Sequence, residues 1–227
     1  MMEEPLLEAK NLVKTYPGKE PLHLLKGVSL KVFAGDAVAI MGASGEGKTT
    51  LLHILGTLES FSSGELFIAG KSADSHSKDF LRRCHFGFIF QNYNLLEDYT
   101  TLQNILIPAS ISRKETHSTT PSYLRALTLL DKVGLLPKAH LNTKHLSGGE
   151  KQRAAIARAL MNDPEMILAD EPSGNLDYTT SMTIHNLLLD CAKQFNKGLI
   201  IVTHDEKLAA LCDHLYVLQN GQLLKTS

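Results

Sequence analysis

One octapeptide constrains this chain more tightly than any other stretch: Gly42-Ala43-Ser44-Gly45-Glu46-Gly47-Lys48-Thr49, which fits GxxxxGK followed by Ser or Thr. It stands between the apolar run Ala37–Met41 and an apolar helical stretch, Thr49 to Leu58. A continuous apolar run bounded by glycine suits a strand buried on both faces. The glycines let the backbone turn so that several N–H groups converge on one cluster of phosphate oxygens. Lys48 brings a cation to the terminal phosphates, and the Thr49 hydroxyl can bind Mg²⁺. A glycine-rich turn with a stray lysine would have no need of this strand–loop–helix setting.

The rest of the pattern agrees with a mainly parallel α/β sheet. Leu6–Val13, Leu24–Phe33, Glu65–Ala69, Phe86–Phe90, Glu165–Ala169, Leu199–Thr203 and Leu215–Leu218 read as strands, with Ser62–Gly64 as a turn. Thr179–Phe195 and Glu206–Cys212 read as helices, and Asn220-Gly221 as a hairpin turn into Gln222–Lys225. Between Gln91 and Lys144 the character changes. Leu102–Ser110 and Tyr123–Val133 read as helices of an inserted subdomain, joined by a polar loop from Ser112 to Ser122.

A second chemical signal is Asp170-Glu171 at the end of the strand Glu165–Ala169. Successive residues of a strand face opposite ways. One carboxylate can hold a metal while the next polarises an attacking water, the division of labour that phosphoryl transfer to water requires. A third is Leu146-Ser147-Gly148-Gly149-Glu150, which opens the helical run Ala154–Met161. Ser147 with Glu150 is a capping box. Two glycines in a first turn cost about 1 kcal/mol each, which makes sense if the backbone must lie against a ligand. A capped helix N-terminus is itself an anion site, so the chain carries two phosphate-binding elements.

Here the motifs resemble those of the ABC ATPases, over essentially the whole chain and in order. Leu146–Glu150 with Gln152-Arg153 is similar to the family's signature. The resemblance implies a P-loop NTPase (RecA-like) core with an antiparallel β subdomain and an inserted α-helical subdomain. The core would comprise 1–91 and 157–227, the helical part 92–156. It implies Mg-ATP as cofactor and a head-to-tail homodimer, in which Ser147, Gly148, Gly149 and Asp177 of one copy close over the nucleotide of the other. Tyr16 would stack on adenine. Gly42, Ala43, Ser44, Gly45, Glu46, Gly47, Lys48, Thr49 and Thr50 would cradle the phosphates. Thr49, Gln91 and Asp170 would serve the metal, with Glu171, His204 and Gln91 in catalysis. Two integral-membrane partner subunits are implied, and a peripheral position on the cytoplasmic face of the inner membrane.

Leu51–Gly56, Gly87–Gln91, Asn94–Leu96, Thr100, Asn104, Pro108 and Ala169–Asp177 resemble a subgroup of lipoprotein-releasing, macrolide-exporter and cell-division ATPases. The His53 context and the short C-terminal end are most similar to the lipoprotein-releasing branch; exporter or regulatory roles are the alternatives. Three positions depart from the pattern. Glu46 stands for the usual serine, and is read as pointing away from the phosphates. Ser173 stands for threonine, and Lys151 for glutamine or arginine. Tyr93, Leu95, Leu96, Tyr99 and Leu102 form a candidate docking surface, with Leu102 read as core.

Composition excludes other classes. With 23 basic and 24 acidic residues, net charge −1, the chain has no electrostatic footprint for nucleic acid. Apolar runs fall far short of the ~18 residues that span a bilayer. The N-terminus, Met1 to Pro5, is acidic and lacks the apolar core of a secretion signal. The three cysteines have no CxxC spacing and the ten histidines no metal-ligand spacing. Only 55 residues (92–146) separate Gln91 from the signature serine. That is too few for the coiled coil of a chromosome-type ATPase, and a single cassette does not fit a translation factor. A small-molecule kinase would lack the Ser147 signature.

Overall fold

The computed structural model describes residues 4–226; Met1–Glu3 lie outside the described residues. The chain runs through β1 (Leu7–Tyr16), β2 (Leu22–Val32), β3 (Ala37–Met41), α1 (Lys48–Leu55), β4 (Ser63–Ile68), β5 (Lys71–Ser72), α2 (Lys78–His85) and β6 (Phe86–Ile89). It continues with α3 (Thr101–Ile111), α4 (Pro121–Lys132), α5 (Gly148–Ala159), β7 (Met166–Asp170), α6 (Tyr178–Gln194), β8 (Gly198–Val202), α7 (Glu206–Ala210), β9 (His214–Gln219) and β10 (Gln222–Lys225). A six-stranded sheet has the order β10-β9-β3-β8-β7-β6. Its strands are parallel except for the β9–β10 hairpin. An antiparallel sheet, β2-β1-β4-β5, stands beside it.

The two-residue period of the buried strands divides the interior. Val38, Ile40, Met166, Leu168, Ile200 and Val202 enter the apolar cluster shared with α1 and the antiparallel sheet. Ala37, Ile167, Ala169, Leu199 and Ile201 enter the cluster shared with α3 to α6. A strand buried on both faces needs apolar residues at every position, and β3, β7 and β8 have them. The helical insertion therefore packs on the sheet's own core.

Several elements differ from the sequence reading, among them β5, unread, and β1, which runs on to Tyr16; three differences have a plain physical reason. Helix α2 was not legible, because its Ser77 cap sits inside a polar segment and only Leu81 and His85 along it are buried. Ser63 and Gly64, expected in a turn, already belong to β4. Helix α4 starts at Pro121 rather than Tyr123, since proline suits the first helical position and Thr120, 3% exposed, caps it.

The loop after Gln91 is fastened from within. The buried Asn104 side chain accepts from Leu96 N–H at 2.8 Å. Its amide donates to the carbonyls of Leu96 (2.9 Å) and Thr100 (3.1 Å). Thr143 Oγ1 donates to the same Leu96 carbonyl at 2.9 Å.

Candidate active site

The glycine-rich loop Gly42–Gly47 leaves the carboxyl end of β3 at the middle of the sheet and runs into α1. A cavity of about 510 Å³ opens there, lined by Gly42, Ser44, Gly45, Gly47, Lys48, Thr49 and Thr50, and closed at the sides by Leu24, Gln91, Glu171 and His204. Lys48 Nζ folds back over the loop and donates to the carbonyls of Gly42 (2.8 Å) and Ala43 (3.0 Å). The ammonium is thereby held above the turn whose N–H groups would meet an anion. Gly42, at φ 155°, leaves no room for a side chain: a Cβ would stand 2.5 Å from the Leu218 carbonyl oxygen.

The two strand-end carboxylates separate. Asp170, 8% exposed, accepts from Thr49 Oγ1 at 3.1 Å. Burial pushes its carboxyl above the usual aspartate range, partly opposed by the Thr49 hydrogen bond. Glu171 adopts a left-handed φ of 45°, an unusual conformation for a residue with a side chain and one that clusters at functional sites. The carboxylate it presents meets His204 Nδ1 at 2.9 Å, and the Thr203 hydroxyl and His204 N–H at 3.4 Å each. Gln91 follows β6; its carbonyl accepts from Asn175 Nδ2 at 3.3 Å.

The fold thus brings the P-loop, Thr49, Gln91, Asp170, Glu171 and His204 together. It does not bring all expected residues to the cavity. Ser147 caps α5, with its Oγ accepting from Glu150 N–H at 3.4 Å, and neither it nor Gly148, Gly149 or Asp177 lines the cavity. Ala43, Glu46 and Asp170 also stay outside its lining, Asp170 reaching it only through Thr49. The Glu46 carboxylate turns away and accepts from Asn220 N–H at 2.7 Å, across the β9–β10 hairpin. Tyr16 does not line the cavity; its hydroxyl donates to Glu59, and Lys14 Nζ covers its ring at 4.6 Å from the centroid. The Glu59 hydrogen bond, then burial, push its phenol upward.

The signature glycines have a reason inside the chain as well. A Cβ on Gly149 would stand 2.5 Å from Thr180 Cγ2 on α6, and one on Gly148 would stand 3.1 Å from the Tyr93 hydroxyl. Sequence reasoning attributed both glycines to a ligand; close packing of α5 on α6 already requires one of them. It also missed Thr203 and Asp205, although a Thr-His-Asp run closing a buried strand was there to be read.

Comparison with known proteins agrees with this geometry. The family model described as ABC transporter matches residues 25–174. The lipoprotein-releasing system ATP-binding protein LolD of Protochlamydia amoebophila is 49% identical over 220 residues, covering 97% of this chain and 96% of that protein. The LolD of Francisella tularensis is 43% identical, covering 98% and 97%. The ATP-binding cassette MJ0796, solved as a dimer in a post-hydrolysis state bound to ADP and Pi, superposes with a TM-score of 0.84. It is 37% identical, with 96% of each chain covered. With its glycine-rich loop, capped glycine helix and paired carboxylates set in that order, the chain belongs to the ABC transporter family, as one of its ATP-binding, ATP-hydrolysing cassettes.

Proposed function

We propose that this chain is the ATPase of a lipoprotein-releasing transporter, pairing head to tail with a second copy and driving two integral-membrane subunits from the cytoplasmic face of the inner membrane. The observation that carries the pairing is the divided site: the capped glycine helix that could close over a nucleotide does not line the chain's own phosphate cavity. In a head-to-tail pair, Ser147, Gly148, Gly149 and Asp177 of one copy meet the P-loop of the other. The named relatives that support lipoprotein release are similar along nearly their full length.

Oxygen donors at the cavity fit Mg²⁺, a hard cation: Thr49 Oγ1 and Asp170 Oδ1 converge within 3.1 Å, and a buried carboxyl pushed upward gains from a cation beside it. Thr49 and Asp170, with Gln91, would hold the ion, which would neutralise charge on the phosphate oxygens. The chain's own residues do the rest. The P-loop N–H groups and Lys48 bind the β- and γ-phosphates. Glu171 accepts the proton of the attacking water, and His204 fixes the Glu171 carboxylate and meets the γ-phosphate. The exposed face of Tyr16 takes the adenine.

The stretch expected to dock on the membrane subunits is divided: Leu96 and Tyr99 stay exposed, whereas the others turn toward the fold. Leu95 packs against the core, Leu102 is 4% exposed, and Tyr93 is tied through its carbonyl to Arg158 at 2.7 Å. A groove of about 720 Å³ lies nearby, between α2, β6 and α3. Phe88, Phe90, Pro108 and Ile111 contribute apolar lining, and Arg83 and Arg113 positive charge. It fits a short amphipathic helix with acidic residues. Among the described residues no helix is long and apolar enough to cross a membrane. The test is reconstitution with the membrane subunits. Phe90→Ala with Arg113→Glu should abolish co-purification and lipoprotein release while nucleotide binding persists; release at the wild-type rate would refute the docking groove. No ATP-dependent lipoprotein release by the wild-type complex would refute the substrate.

A further inference from the structure

Helix α6 carries a histidine in an apolar position. His185 is 0% exposed, on the buried face that also holds Ile184, Leu188 and Leu189. Its Nε2 lies 2.7 Å from Ser173 Oγ and 3.8 Å from Asp205 Oδ2. Its Nδ1 has no hydrogen-bond partner among the described residues. A buried, unpartnered nitrogen costs less as a lone pair than as an N–H. The proton therefore sits on Nε2, donating to Ser173 and facing Asp205. Burial lowers the imidazole's pKa, with Asp205 opposing, so the ring is neutral near pH 7.

Both neighbours belong to the loops that hold Glu171 and His204. Ser173 stands two residues beyond Glu171, in a turn where Gly174 N–H donates to the Glu171 carbonyl and Leu176 N–H to the Ser173 carbonyl, each at 3.1 Å. Asp205 follows His204; its N–H donates to Thr203 Oγ1 at 3.0 Å, and that hydroxyl in turn reaches Glu171 Oε2 at 3.4 Å. The contacts close a ring through Glu171, Ser173, His185, Asp205 and Thr203. Helix α6 itself begins at the Asp177 cap. An apolar side chain would satisfy the packing at position 185 without an unpartnered nitrogen, so the histidine is explained by what it holds.

We propose that His185 is a positioning residue that ties the 173–177 segment to the Glu171–His204 pair, so that seating this segment against a second copy sets the aim of the Glu171 carboxylate. This rests on the reading of Glu171 as the group that takes the water's proton. His185→Phe fills the space and removes the tie. In the assembled complex it should lower kcat about tenfold, the value of one well-placed hydrogen bond, with ATP affinity and KM unchanged. His185→Gln, whose amide nitrogen reaches the place of Nε2, should restore most of the rate. Ser173→Ala should reproduce the loss, and the Ser173→Ala, His185→Phe pair should lose no more than either alone. Ser173→Ala also keeps the test alive should His185→Phe fail to fold. Wild-type kcat in His185→Phe or Ser173→Ala, additive losses, or no recovery in His185→Gln would overturn the proposal. Glu171→Gln serves as the control: if it turns over normally, the reading of Glu171 fails, whatever His185 does.

Discussion

Gly149→Ala separates two explanations of the signature glycines. The added Cβ would meet Thr180 Cγ2 at 2.5 Å, so α5 and α6 must part by most of an ångström or Thr180 must turn. Thr180 is not free to turn: its hydroxyl donates to Asp177 Oδ2 at 2.6 Å and its N–H to Asp177 Oδ1 at 3.0 Å, the cap of α6. Alanine in a helix gains about 1 kcal/mol over glycine, while overpacking costs about 1–3 kcal/mol. The net expectation is a loss of about 1 kcal/mol, or about 2–4 °C in Tm for a chain of this size. Thr180→Ser removes Cγ2 and keeps the hydroxyl for Asp177, so Gly149→Ala with Thr180→Ser should recover the lost Tm. Thermal unfolding followed by circular dichroism measures both. ATP turnover in the assembled complex then reads the other cause. Where the glycine backbone lies against the facing nucleotide, turnover stays low even after stability returns. A Gly149→Ala protein as stable as wild type, or one that Thr180→Ser fails to rescue, would refute the packing account.

Four further outcomes are expected. Lys48→Ala should lose nucleotide binding and hydrolysis together, whereas Glu171→Gln should keep binding and lose turnover by orders of magnitude, read from equilibrium binding and phosphate release. ATP should dimerise the Glu171→Gln protein, and adding Ser147→Arg should abolish the dimer on size exclusion, because a bulky cation would fill the facing γ-phosphate site. Glu46→Ser should leave ATP affinity within about twofold in a nucleotide titration, since the carboxylate serves the hairpin, where one exposed hydrogen bond contributes about 1 kcal/mol or less. Glu150 is held below the usual glutamate range by its Lys138 hydrogen bond. Its stabilising contribution is present above the unfolded-state pKa and lost as pH falls through the lowered one, so Glu150→Gln should flatten the acid limb of the Tm–pH curve.

What was legible in the sequence was what is contiguous in it. The P-loop, Asp170-Glu171 and the Ser147 cap are short runs whose residue types imply their chemistry, and β3, β7 and β8 announce themselves as unbroken apolar runs. What escaped depends on residues far apart. His185 and Ser173 are 12 positions apart and meet only because α6 folds back along the loop. Within the Tyr93–Leu102 stretch nothing local tells that Leu95 turns inward while Leu96 and Tyr99 stay exposed. The groove needs Arg83 from α2, Phe88 and Phe90 from β6 and its exit, and Pro108 from α3, three segments that no window of sequence joins. Glu46 turns away as its sequence context predicts, but its partner Asn220, 174 residues on, comes only from the folded hairpin.

The Asn104 amide has a mechanical meaning. By gripping the Leu96 backbone on both its N–H and its carbonyl, it rivets the far end of the loop after Gln91 to α3. A slack tether would absorb a shift of Gln91 in its own torsions and pass nothing on. A riveted end leaves the loop's play to the residues before Leu96 and holds Leu96 to α3, which also forms one wall of the arginine-lined groove.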